Sequence, residues 1–208
     1  MTVNSLDIRT ITATIIRELY GNGKPNAAVL ASIRNAASFA SPQAQKVWPI
    51  MFNHLTPEML STTGEPTYAE TAIYAALRFY AVSQQGNYDH LTYATSWAPK
   101  GEEAPGETLF HTLALMRAKE KDRKRLNRRV RILLESTNAD RVINEMSHLV
   151  SMVKASNLKS PIDYAQLASD LYNFQFGYEA ANRVRIRWGQ QYFRQFNSDK
   201  LKGSQTND

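Results

Sequence analysis

Apolar residues recur along most of this chain at the three- and four-residue spacing of a helix, and no stretch alternates apolar with polar residues in a way that demands a strand. Ile8, Ile11, Ile15, Ile16 and Leu19 share one face of a first helix, which the glycines at 21 and 23 stop. A second helix is predicted over 26–39, with Val29, Leu30 and Ile33 inward. "SPQAQKVWPIMF" restarts at Ser41 with Pro42 in its first turn, where a missing N–H costs nothing. Pro49 then limits how far that segment continues, and "TPEML" repeats the device with Thr56 and Pro57. Thr67 followed by Glu70 makes a capping-box pattern ahead of a helix with the stripe Ile73, Leu77, Tyr80 and Ala81.

Periodicity is lost in "GNYDHLTYATSWAPKGEEAPGE", a Gly/Pro-rich connection long enough to be either functional or a boundary. It divides the chain into an N-terminal helical subdomain at 1–105 and a C-terminal bundle at 106–197, with a flexible tail at 198–208. The second half opens on a helix with Leu109, Leu113 and Met116. Further on, Val142, Ile143, Met146, Leu149, Val150 and Val153 form a clean amphipathic stripe. "SPIDYAQLASDLYNF" starts a helix with Ser160 as cap, Pro161 at the first position and Asp163 in the first turn. "RVRIRWGQQYFRQF" is the last helix. The expected fold is all-α, two packed helical bundles joined by the Gly/Pro-rich loop.

Charge changes this picture most at "RKRLNRRVRILLES", residues 123–136, where six of the first nine side chains are cationic and none is acidic. At about 100° per residue, with Lys124 at zero, Arg128 lies near 40° and Arg131 near −20°, while Leu126, Val130, Leu133 and Leu134 cluster at about 180° to 280°. Arg125 and Arg129 flank the stripe and Arg123 lies beyond its other edge. A helix continued backwards would add Arg117 and Lys121, a span of about 21 Å. Ordinary solvated faces mix signs through i,i+4 pairs. An acid-free, arginine-rich face suits phosphate. The last helix repeats the device: Arg183, Arg187 and Arg194 lie within about 40° of one another, opposite Val184, Trp188, Tyr192 and Phe196, which are assigned to the core rather than to base stacking. Arg185 projects into that apolar side, where an unpaired charge is costly, and is expected to pair with Asp163 or Asp170.

The whole chain of 208 residues carries a formal charge of +6, with a pI near 9.5, which favours acidic partners. It has no cysteine, which excludes disulfides and thiolate metal sites and suits a reducing cytoplasm. Asp7, Arg9 and Arg17 interrupt any signal-peptide pattern, and no apolar run is long enough for a membrane span. A soluble cytoplasmic protein without membrane contact is expected. His54, His90, His111 and His148 show no ligand spacing with each other or with a nearby acid. "GNGKPN" lacks the spacing of a phosphate loop, and no nucleophile elbow occurs. No catalytic residue, metal site or cofactor is expected.

"RLNRRVRILLES", "LVSMVK", "IDYAQLASDLYNF" and "VRIRWGQQYF", in that order and spacing, resemble the CasB family, the small subunit of the type I-E CRISPR complex Cascade. "VWPIMF" and "AIYAALRFYAVSQQ" extend the resemblance over 45–194. Ser83 and Phe110 depart from it, and the first forty residues match little. The resemblance implies a non-catalytic helical subunit, present in two copies beside other Cascade subunits. Its basic surface would hold guide RNA, target DNA and above all the displaced strand of the R-loop. The family's arginine-rich helix matches Arg123, Lys124, Arg125, Arg128, Arg129 and Arg131. The alternative is a helical adaptor whose basic face docks an acidic protein. A helix-turn-helix regulator is disfavoured, because no short partner helix and turn precede the basic helix.

Overall fold

The computed structural model describes residues 3–118, 120–156, 158 and 160–194, with backbone alone at 120–122. Helix α1 (Ser5–Tyr20) opens on a reciprocal cap: the Asn4 side chain accepts from the N–H groups of Leu6 and Asp7, and the Asp7 carboxylate accepts from the Asn4 N–H. Gly21, at φ 57, closes it in the left-handed region where a Cβ would be strained. Helix α2 (Ala27–Asn35) stops short of the predicted residue 39. Ala36 turns extended there, and its carbonyl accepts the Tyr74 hydroxyl at 3.1 Å. Pro42–Val47 is a 3-10 turn, and Pro49 falls in the first turn of α3 (Trp48–His54). Pro49 therefore begins that helix rather than limiting it, because the first turn needs no N–H from it.

The capping box of α4 (Tyr68–Gln84) forms as its residues predict, with Thr67 Oγ1 and Glu70 Oε2 each accepting from the other's N–H. Helix α5 (Leu109–Arg117) ends before α6 (Glu120–Glu135) begins, so the two are separate helices. Then follow α7 (Ala139–Lys154), α8 (Tyr164–Phe174) and α9 (Tyr178–Phe193). Every residue of the predicted α7 stripe is buried. Among the described residues no helix is long and apolar enough to cross a membrane.

The architecture is all-α. Helices α1 and α2 pack on α4, which is buried on nearly every side, and α3 packs on α1 and the 42–47 turn. Helices α5, α6, α7 and α9 pack on one another, and α8 lies against α1, α4 and α9. The buried side chains of both groups form a single continuous core.

The Gly/Pro-rich connection is held against this core. Gln84 clamps it by donating to the His90 carbonyl at 2.9 Å and accepting from the Thr92 N–H at 2.9 Å. Residues 161–163 pair with it in turn: Ile162 N–H donates to Thr92, Asp163 N–H to Glu107, and Glu107 N–H to Pro161. These bonds hold 161–163 extended, which moves the start of α8 past the predicted Ser160. Asp163 is the N-cap, accepting from the Gln166 N–H at 2.8 Å. Similarly, α9 starts at Tyr178, ahead of the quoted segment, because Gly177 at φ 90 makes the tight turn from α8.

Gly106 sits where two stretches of this connection touch: a Cβ there would collide with the Ala94 carbonyl oxygen. Gly106→Ala is expected to destabilise the fold by about 1–3 kcal/mol, as overpacking does. That would lower the thermal midpoint by about 2–4 °C for each kcal/mol. An unchanged melting curve would show that the connection is not packed as described.

Candidate nucleic-acid interface

Helix α6 is oriented by its apolar side. Leu126, Val130 and Leu133 are fully buried, in a helix packed against α5, α7 and α9. The opposite side follows geometrically: Arg123, Lys124, Arg125, Arg128 and Arg131 are exposed. Among the described residues Arg123, Lys124, Arg125 and Arg128 make no ion pair. Arg131 has Glu135 at 3.7 Å one turn on, but both side chains are well exposed and such a pair is weak. Arg129 differs. It is half-buried and donates to Glu145 of α7 at 3.1 Å, so its acid comes from the neighbouring helix. Arg125 and Arg129 line a cavity of about 370 Å³ with His148, Ser151 and Ser156.

Arg117 does not extend this ridge, and the expectation that it faces phosphate is corrected. Arg117 is the last residue of α5, and its guanidinium lies in the seam with α9. There Nη1 donates to the Tyr192 carbonyl at 3.2 Å, and the cation lies over the Tyr192 and Phe193 rings. The Lys121 side chain and the tail expected at 198–208 lie outside the described residues.

On α9, Arg183 and Arg194 are exposed, and Arg187 is 46% exposed while its Nη2 donates to Asp170 at 2.7 Å. Arg187 therefore makes the ion pair expected of Arg185. Arg185 is structural, as its position required, but its partners are the Leu134 carbonyl, the Asn182 side chain and the face of the Tyr178 ring. Asp163 instead holds Arg9 at 3.3 Å and accepts from the Ser96 N–H and hydroxyl. Asp170 is 4% exposed and also accepts from the Trp188 indole and the Gln166 amide. Burial raises its carboxyl above the ordinary carboxylate value, against the opposing pull of Arg187 and the hydrogen-bond donors. The α6 and α9 arginines line different cavities.

Some charged groups carried no sequence signal. Arg34 of α2 and Lys154 of α7 come near each other only in the fold: burial first, and the Arg34 charge second, hold Lys154 below its ordinary pKa. Arg78 of α4 has Nε and Nη1 buried without a hydrogen-bond partner among the described residues. Two histidines do meet acids. His54 lies 2.6 Å from Glu18, and His111 pairs with Glu107, four residues earlier and so within reach of a spacing argument.

A family model described as CRISPR-associated protein Cse2 matches residues 29–193. The fold is similar to the crystal structure of CasB from Thermobifida fusca, with a TM-score of 0.63 and 20% identity over 91% of this chain and 97% of that one. No curated protein matches the sequence.

The raised Asp170 pKa has a signed consequence. Across the window between its unfolded value and its raised folded value, the folded state binds more protons than the unfolded one, so stability falls as pH rises through that window. Asp170→Asn removes this contribution while keeping an oxygen for Trp188. Urea midpoints measured from about pH 4 to pH 7 should show wild type losing stability relative to the variant as pH rises. Parallel profiles would mean that the carboxyl is not held up by burial.

Proposed function

The chain belongs to the CRISPR-associated Cse2 family, and from that premise we propose that it is the small, non-catalytic subunit of a type I-E Cascade ribonucleoprotein, working in the cytoplasm in antiviral defence. Its partners are guide RNA, target DNA, other Cascade subunits and a second copy of itself. Its main task is to hold the displaced strand of the R-loop. Arg123, Lys124, Arg125, Arg128 and Arg131 on α6, with Arg183, Arg187 and Arg194 on α9, are the proposed phosphate contacts.

The observation that carries this reading is the α6 ridge. Its apolar side is locked in the core, so its cations stay on the outer side, and among the described side chains Arg123, Lys124, Arg125 and Arg128 make no ion pair. A polyanion lying along the ridge relieves that repulsion and releases its own counterions. Backbone contacts of this kind carry no sequence information and need none where a guide strand reads the target. R-loop formation is close to balanced, so a few such contacts suffice to tip it.

The test is the affinity of the purified chain for a single-stranded oligonucleotide across a salt series. Binding should be weak and indifferent to sequence, with log K falling linearly against log salt. Lys124→Glu combined with Arg128→Glu should flatten that slope by about 0.7 for each phosphate no longer neutralised, with helicity unchanged by circular dichroism. A double variant with the wild-type slope removes the ridge from the interface. A chain with no affinity for polynucleotide at low salt belongs instead to the adaptor reading, with an acidic protein on its basic face.

A further inference from the structure

We propose that the α9 face ends in a base-stacking platform, Phe176, so that it takes an unpaired nucleotide and not only a phosphate chain; this rests on reading Arg183, Arg187 and Arg194 as phosphate contacts. Phe176 lies in the turn between α8 and α9 and is 54% exposed, so part of its ring surface is open to a ligand. It is nonetheless held in place. Tyr68 and Tyr172 meet it edge to face, at centroid distances of 5.3 and 4.9 Å. The adjacent Gln175 side chain donates to the Tyr68 carbonyl at 3.0 Å and the Leu171 carbonyl at 3.1 Å, which ties the turn to α4. A ring already fixed offers its surface without an ordering cost on binding.

What surrounds the ring selects its partner. Phe176, Asn173, Arg183 and Arg187 line one cavity of about 380 Å³, with Ala180 and Val184 as its apolar wall. Arg187 also lines the next cavity, of about 360 Å³, with Gln190 and Arg194. The two are thus contiguous along α9, over a distance of about 16 Å from Arg183 to Arg194. Among the described residues the one carboxylate lining either cavity, Glu107, is engaged by His111. An exposed ring at the end of a cationic track is the arrangement by which proteins hold single strands without reading sequence: the cations follow the backbone and the ring takes a base. Duplex, whose bases are stacked on one another, cannot use the ring.

The test uses the full chain and two labelled probes of equal length, oligothymidine and its abasic counterpart, which carries the same phosphates without bases. Phe176→Leu should weaken oligothymidine binding at least about fivefold, leave abasic binding and both salt slopes unchanged, and keep wild-type helicity. Phe176→Tyr should restore the affinity. If Phe176→Leu binds both probes as wild type does, or weakens equally for both, the platform is overturned while the phosphate reading stands. If wild type binds neither probe, the phosphate reading itself fails and takes the platform with it.

Discussion

Two carboxylates buried in α8 and at its cap constrain how the helices around them are placed. A helix enclosed by α1, α4 and α9 has no water to solvate Asp163 or Asp170, and a buried charge without partners costs several kcal/mol. Each therefore draws donors from other parts of the chain. Asp163 is met by Arg9 from α1 and Ser96 from the long connection, and Asp170 by Arg187 and Trp188 from α9. Gln166 bonds to both, through its N–H to the first and its side-chain amide to the second. Satisfying α8 thus sets α1, the connection and α9 relative to one another, and the Gly/Pro-rich segment becomes part of the core's edge.

The same requirement sorts the arginines. Three that face inward have specific partners: Arg9 a buried aspartate, Arg117 a carbonyl and two rings, Arg185 a carbonyl, an amide and a tyrosine face. Arg78, by contrast, keeps two buried nitrogens without a hydrogen-bond partner among the described residues. Arg187 does both, since one nitrogen holds Asp170 while the side chain stays partly exposed. A guanidinium carries five donors, so being anchored by an aspartate does not exhaust it; it fixes where the remaining donors point. What is left over is the outward ridge of α6, whose cations are held on the surface by the burial of Leu126, Val130 and Leu133 on the other side.

Ridge and groove have different characters. Helix α6 presents long, solvated side chains, suited to a backbone that slides or changes register. The α9 face is concave, with an anchored arginine in the middle and a fixed aromatic ring at one end. In the proposed role the two would act on one strand at different strengths, the ridge through charge that salt screens and the groove through contacts that salt affects less.

Residue spacing alone determined the helices and their faces. The stripes of α1 and α7, the capping box of α4 and the outward direction of the α6 cations were all legible, because the side of a helix on which a residue falls depends only on its neighbours within a few turns. The excess of positive charge and its concentration at 123–131 were legible for the same reason. Tertiary structure decided the rest. It paired Asp170 with Arg187 and not Arg185, held 161–163 extended so that Asp163 rather than Ser160 caps α8, turned Arg117 inward, gave Arg129 an acid from α7, and left Phe176 exposed between two tyrosines. In each case the partner lies beyond the reach of helical periodicity. The energy of burying a charge or seating a ring belongs to the pair, and only the folded chain brings the pair together.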